Sequence, residues 1–185
     1  MKSMQCLAVS FVALALSGCS PIKVSVDYNP SATFGALHSY AWRTGAQPET
    51  GDPLLDSTLL DARVRAAVDR VLASKGYQTA AAGTTPNFLV GYHVAVRQKT
   101  AVQTTGQPMN MWYGYGAGGW GGWPETYVHE YEEGVLLIDV IDPTTMKLLW
   151  RGTGTGVVHP DASPEKREQR INQAVDQILA EFPPR

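Results

Sequence analysis

The sequence predicts an α+β domain: a mostly antiparallel sheet of about four to five strands with two amphipathic helices packed on one face. Three observations predict it. Apolar residues alternate singly with polar ones in several short segments, the period of a half-buried strand. Two longer segments recur at helical spacing behind Ser/Asp-Pro starts. A short turn joins the last two strand segments, which makes them antiparallel neighbours and leaves the helices to cover one face.

In chain order, Ile22, Val24, Val26 and Tyr28 alternate with Lys23, Ser25 and Asp27, and Asn29-Pro30 ends that strand. Ser39-Tyr40-Ala41-Trp42 is a second, shorter candidate, followed by a polar loop from Thr44 to Gly51. Asp52-Pro53 reads as a helix start, with Asp at the N-cap and Pro at the first helical position. Leu60, Val64, Val68, Val71 and Leu72 form its apolar stripe, with Asp61, Arg65, Asp69 and Arg70 on the other side. Gly76 ends the helix through positive φ, and Tyr77 packs back over the last turn. Phe88, Val90, Tyr92, Val94 and Val96 alternate without a gap and make the best strand in the chain. Val135–Ile141 is an apolar run typical of a strand covered on both faces, and Asp142-Pro143-Thr144-Thr145 is turn chemistry. Leu148–Thr153 completes a hairpin. Ser163-Pro164-Glu165 repeats the capped start, and Ile171, Val175, Ile178, Leu179 and Phe182 mark one face of a last helix before Pro183-Pro184.

Of 185 residues 44% are hydrophobic and 17% charged, an ordinary globular composition at the length of one domain. The first twenty residues, MKSMQCLAVSFVALALSGCS, stand apart. Lys2 is a positive n-region, Cys6 to Leu16 an apolar h-region too short to span a bilayer, and Ser17-Gly18 supply small residues before Cys19. Leu16-Ser17-Gly18-Cys19 resembles the lipobox of bacterial lipoproteins. That resemblance implies alkylation of the Cys19 thiol with diacylglycerol, removal of residues 1–18, and acylation of the new amine. One acyl chain binds a membrane reversibly, at about 10⁴ M⁻¹, whereas several on one residue hold it for good. Ser20 stands where an Asp would resemble the inner-membrane retention signal of enteric bacteria, which points to the outer membrane with the domain facing the periplasm.

The processed chain, residues 19–185, is expected to be a single domain with 14 basic and 17 acidic groups, a formal charge of −3. It has no basic stripe, which argues against nucleic acid. Of the two cysteines, Cys6 leaves with the leader and Cys19 carries the lipid, so no disulfide framework and no further cofactor are expected.

With its segments in place, the chain resembles the bacterial lipoprotein family known as domain of unknown function 4136 (DUF4136). The resemblance rests on Tyr28-Asn29-Pro30 leading to Tyr40-Ala41-Trp42, Asp52-Pro53-Leu54-Leu55, and Lys75-Gly76-Tyr77. It continues through Asn87-Phe88-Leu89-Val90, Glu133-Gly134-Val135-Leu136-Leu137-Ile138-Asp139, and Leu149-Trp150-Arg151-Gly152. It closes with Ala174-Val175 and Phe182-Pro183-Pro184. Asn87 stands where such chains often carry Asp. The resemblance implies the fold and the address, and no reaction, cofactor or catalytic residue.

The most unusual stretch is Asn110 to Pro124, where Trp112, Tyr113, Tyr115, Trp120 and Trp123 lie among six glycines. It reads as the centre of a mobile Gly/aromatic loop at about 100–130, between strands ending near Val96 and beginning near Val135. Trp and Tyr join an apolar body to a polar tip, which suits a membrane interface, a sugar face such as peptidoglycan, or an envelope protein partner. Asp139, inside an apolar strand, needs a partner, and Arg151 on the returning strand is the expected one in a structural ion pair. Gly152-Thr153-Gly154-Thr155-Gly156 lacks the spacing and the Lys-Ser/Thr of a phosphate loop and reads as a bent strand end. His38, His93, His129 and His159 show no metal-ligand spacing. His129-Glu130 and Glu132-Glu133 read as a solvated approach to the sheet, and His93 as a sheet histidine opposite Tyr92. The expectation is a non-catalytic envelope binding or structural module. The alternative is a periplasmic enzyme or small-ligand binder with a pocket near Asp139, His93 or His129.

Overall fold

The computed structural model describes residues 21–44, 55–105 and 125–184. The leader with Cys19, the Asp52-Pro53 pair and the aromatic stretch from Trp112 to Trp123 lie outside the described residues. Elements follow in the order β1 (Lys23–Tyr28), a 3-10 turn (Phe34–Ala36), β2 (Ser39–Trp42), α1 (Thr58–Ser74), β3 (Gln78–Thr79), β4 (Phe88–Thr105), β5 (Glu125–Ile141), β6 (Leu148–Val157) and α2 (Pro164–Ala180). They build one α+β sheet of six strands in the order β1-β6-β5-β4-β2-β3. The first four are antiparallel neighbours, and β2 and β3 join in parallel.

The sixth strand is β3, a two-residue segment beside Ser39 and Tyr40 that is too short to show a period. Helix α1 begins at Thr58, not at Asp52-Pro53. The Ser57 hydroxyl accepts the Leu59 N–H at 3.3 Å, and Asp61 lies in the first turn where the helix dipole favours it. Gly76 at φ 89° closes the helix, with the Tyr77 N–H bonded to the Leu72 carbonyl and the Gly76 N–H to that of Ala73. Ser163 caps α2 by accepting the Lys166 N–H, with Pro164 in the first turn.

Both helices lie on the face formed by Tyr40, Phe88, Val90, Ile138, Val140 and Trp150. Val64, Val68, Leu72, Val175, Ile178 and Leu179 meet that face with full burial. Each such side chain taken from water contributes on the order of 1.5–3 kcal/mol. Phe182 sits at the hub, with ring centroids 5.1 Å from Trp150, 5.5 Å from Tyr77 and 6.0 Å from Phe88.

Gly152 to Gly156 is not a bent strand end but the regular second half of β6, paired with β5 throughout and with β1 as far as Thr155. Its glycines fall on the helix face, where α2 lies close. A Cβ on Gly154 would stand 2.8 Å from Ile178 Cδ1, and one on Gly152 would collide with Ile178 and the Trp150 ring. Alternate glycines therefore make the groove in which α2 rests.

The expected loop at about 100–130 is corrected at its two ends, its centre from 106 to 124 lying outside the described residues. β4 runs on to Thr105 and β5 starts at Glu125, with an unbroken register from Leu89↔Ile141 to Thr105↔Glu125. β6 ends opposite Glu133, so Gln98–Thr105 and Glu125–Glu132 continue as a two-stranded ribbon beyond the sheet. His129, Glu130 and Glu132 are strand residues of that ribbon. Cross-strand pairing of Thr, Val, Gln and Tyr holds this segment extended, although its lack of a buried face hides it from periodicity.

Candidate functional site

The open face of the sheet carries the side chains opposite to the helix layer. Asp139 is 3% exposed there and lies directly across from Arg151. The Arg151 guanidinium donates from Nε to Asp139 Oδ1 at 2.6 Å and from Nη2 to Oδ2 at 2.7 Å. This fork holds the Arg151 pKa above its usual value, with the Asp27 carboxylate adding to the effect. Each Asp139 oxygen accepts from the guanidinium, so the carboxylate is paired with Arg151 through both oxygens.

His93 stands on the same face, two residues from Gly91, which pairs with Asp139. His129 does not join them. It lies ten residues along β5 from Asp139, roughly 34 Å at strand rise, out on the ribbon. Among the described residues no three His, Cys, Asp or Glu side chains gather as a metal ion would need.

A polar seam between α1 and the sheet was not legible in the sequence. Asp61, Arg65 and Asp69, spaced at four residues, face the strands instead of pointing away from them. Tyr92 donates its hydroxyl to Asp61 at 2.8 Å, and Arg65 Nε reaches the same carboxylate at 2.8 Å. Tyr40 Oη and Trp42 Nε1 both donate to Asp69 Oδ1, at 2.7 and 2.9 Å. The Arg65 guanidinium lies over the Trp42 ring at 4.5 Å. Burial, reinforced by the Asp69 carboxylate, pushes the Tyr40 phenol up to about 12. Burial and Asp61 raise Tyr92 further in the same direction. The available signal was three polar-tipped aromatics at alternate strand positions opposite acids spaced along a helix. The seam ties α1 to β2 and β4.

At the opposite end of the sheet from the ribbon, Asn29, Phe34, Asn87, Asp142, Lys147 and Leu149 line a shallow groove of about 380 Å³. Two of its polar side chains, Asn87 and Asp142, are engaged by backbone N–H groups. Asn87 Oδ1 accepts from the His38 and Ser39 N–H groups at 3.1 and 3.0 Å. Asp142 Oδ1 accepts the Thr144 and Thr145 N–H groups at 2.9 and 2.6 Å. The Thr145 bonds hold the Asp142 carboxyl below its usual value.

The ribbon differs from all three. Arg97, Lys99, Glu130, Glu132 and Glu133 lie near its root, and Lys99 Nζ stands 3.8 Å from Glu133. Farther out, Val102 and Val128 face each other across the strands, 64% and 63% exposed, with Tyr127 on the other face of the ribbon at 56%. The candidate interaction surface is this outer half, where large apolar side chains stand in water between Glu130 and the Glu125 of the outermost pair.

Fold and surface together define an α+β scaffold with one projecting arm. The sequence matches the family described as "Domain of unknown function (DUF4136)" over residues 24–184, and the chain belongs to that family. No curated protein matches the sequence. Among solved structures, the chain is similar to a PDZ domain protein from Parabacteroides distasonis at TM-score 0.52 and 12% identity, covering 90% of this chain and 36% of that one. It thus spans about a third of that protein's length, and the likeness concerns fold alone. A DUF4136 family protein from Bacteroides thetaiotaomicron matches at TM-score 0.42 and 17% identity, over 88% of this chain and 96% of its own. The PelC dodecamer from Paraburkholderia phytofirmans matches at TM-score 0.42 and 12% identity, over 86% and 96%.

Proposed function

We propose that the protein is a lipoprotein of the outer membrane, held by acyl chains on Cys19, whose periplasmic domain acts as a non-catalytic binding or structural accessory of the envelope. The observation that carries this reading is the sequence of residues 1–20: a charged start, a short apolar run, small residues and a cysteine in that order. Among the described residues no helix is long and apolar enough to cross a membrane, so an anchor of this kind would have to come from outside the folded body. β1 begins at Lys23, four residues after Cys19. A fully extended tether of that length holds the body within about 14 Å of the lipid. The commitment of Asp139 to Arg151, and of Asp61 and Asp69 to the α1 seam, supports the non-catalytic part of the reading.

The test is metabolic labelling with a fatty acid, followed by separation of inner and outer membranes. The wild-type chain should carry label and fractionate with the outer membrane, and Cys19→Ser should lose both. Label retained by the variant would reject Cys19 as the anchor.

A further inference from the structure

We infer that the free edge of β1 is a self-association surface, to which a second copy of the chain adds its own β1 antiparallel, centred on Ser25. β1 is the outermost strand at one side of the sheet, and among the described residues no strand pairs with its far edge. The inference goes beyond the anchored-module reading and does not depend on Cys19.

The β1–β6 ladder decides which backbone groups face outward. The Asn29 N–H bonds the Leu149 carbonyl at 2.9 Å, and the same register carries on to Asp27 opposite Arg151 and Lys23 opposite Thr155. Hydrogen-bonded pairs alternate with non-bonded ones in an antiparallel ladder, so Lys23, Ser25 and Asp27 turn their backbone groups toward β6. Val24, Val26 and Tyr28 turn theirs outward, as the open donors and acceptors that template a further strand. A pairing centred on Ser25 fits this parity: Val24 and Val26 exchange hydrogen bonds across the axis, and the two Ser25 residues form a non-bonded pair.

The side chains of this edge complement themselves. About Ser25, Val24 faces Val26 of the copy and Ile22 faces Tyr28, so apolar meets apolar on the helix side. Val26 and Tyr28 are 40% and 41% exposed in the single chain, so α2 leaves that row within reach. On the open side Lys23 faces Asp27 of the copy, twice over by symmetry. Asp139, Arg151 and Asp27 already stand in one row of alternating charge across β5, β6 and β1, and the row ends at the sheet edge on Asp27. Lys23 of the second copy supplies the next cation. A pairing centred on Val26 instead sets Asp27 against Ser25 and gives both ion pairs up. β4, which runs on past the end of β2, is guarded against the same use: centred on Arg97, Gln98 or Lys99, it sets cation against cation.

The experiment uses residues 20–185, which keep every described residue and hold no cysteine. Sedimentation equilibrium should show a reversible dimer. Lys23→Asp and Asp27→Lys each set like charges across both ends of the pairing and should weaken it roughly tenfold or more. Mixing the two variants should restore association, because every charge then meets its opposite. Asp27→Lys also places a cation beside Arg151, so a second readout leaves both charges in place. A non-bonded pair brings its Cα atoms about 4.5 Å apart, within disulfide reach, so Ser25→Cys should link to itself under mild oxidation. It should do so about tenfold or more faster than Ser31→Cys, which lies off the axis. Monomer alone at every concentration, Ser25→Cys linking no faster than Ser31→Cys, or a dimer indifferent to both charge reversals overturns the inference. Because Cys19 is absent from this assay, its outcome is independent of the fatty-acid labelling that tests the anchor.

Discussion

β4 and β5 are each one continuous strand, yet their two halves live in different solvents. From Phe88 to Tyr92 and from Leu136 to Val140 every second side chain is sealed beneath the helices. Beyond Glu133 the same register continues with no layer over it among the described residues. Hydrogen-bonded pairing thus propagates past the core, but the burial that stabilises it does not. A two-stranded ribbon by itself is marginal in water, so the outer half draws its stability from the sheet to which it is attached. In this molecule the inner half carries the core, and the outer half carries exposed Val102, Tyr127 and Val128.

Three experiments break or sharpen that contrast, beginning with the largest expected effect. Gly152→Val drives a branched side chain into Ile178 and Trp150 on the sealed side. It should cost about 3 kcal/mol or more and lower the unfolding temperature by roughly 10 °C, measured by circular dichroism. An unchanged melting curve would mean that α2 does not rest on the glycine groove.

Arg151→Met leaves the Asp139 carboxylate buried without its partner. A loss of roughly 2–4 kcal/mol is expected, and Asp139→Leu with Arg151→Met should recover most of it. Denaturant unfolding of the single and double variants distinguishes a paired charge from one that tolerates isolation.

The smallest effect is a pH dependence of the α1 seam. The Tyr40 phenol lies at about 12 in the folded chain, above its ordinary value of 10, because burial and Asp69 oppose ionisation. A group raised in this way contributes stability that is complete below its unfolded pKa and lost as pH climbs through the folded one. The unfolding midpoint should hold up to about pH 10 and fall between there and about 12. Tyr40→Phe should flatten part of that fall. A decline that begins near neutrality would place its cause elsewhere.

The elements with a buried face were legible because burial imposes a period. Val64, Val68 and Leu72 on α1, the Val175–Phe182 face of α2, and the alternation of Phe88, Val90 and Tyr92 all announced themselves. The Asp139–Arg151 pairing was legible too, since a carboxylate in an apolar strand needs a cation on the next strand. What lacks a covered face left no such trace. Lys99 to Thr105 and Glu125 to Glu132 read as loop because no apolar side chain between Lys99 and Val102 or between Thr126 and Glu132 is buried. The reach of Asp61 and Asp69 toward Tyr92 and Tyr40 was hidden because acids beside an apolar helical stripe ordinarily face water. Ser57 was passed over for Asp52-Pro53, a cap with a better motif but no described helix behind it.

The contrast between the two halves is tested most directly by native-state hydrogen exchange. The account predicts that amides of Gln98–Thr105 and Glu125–Glu132 exchange about tenfold or more faster than those of Leu136–Val140 and Trp150–Gly154, because pairing without a buried face opens locally. Equal protection along the whole length of β4 and β5 would contradict it.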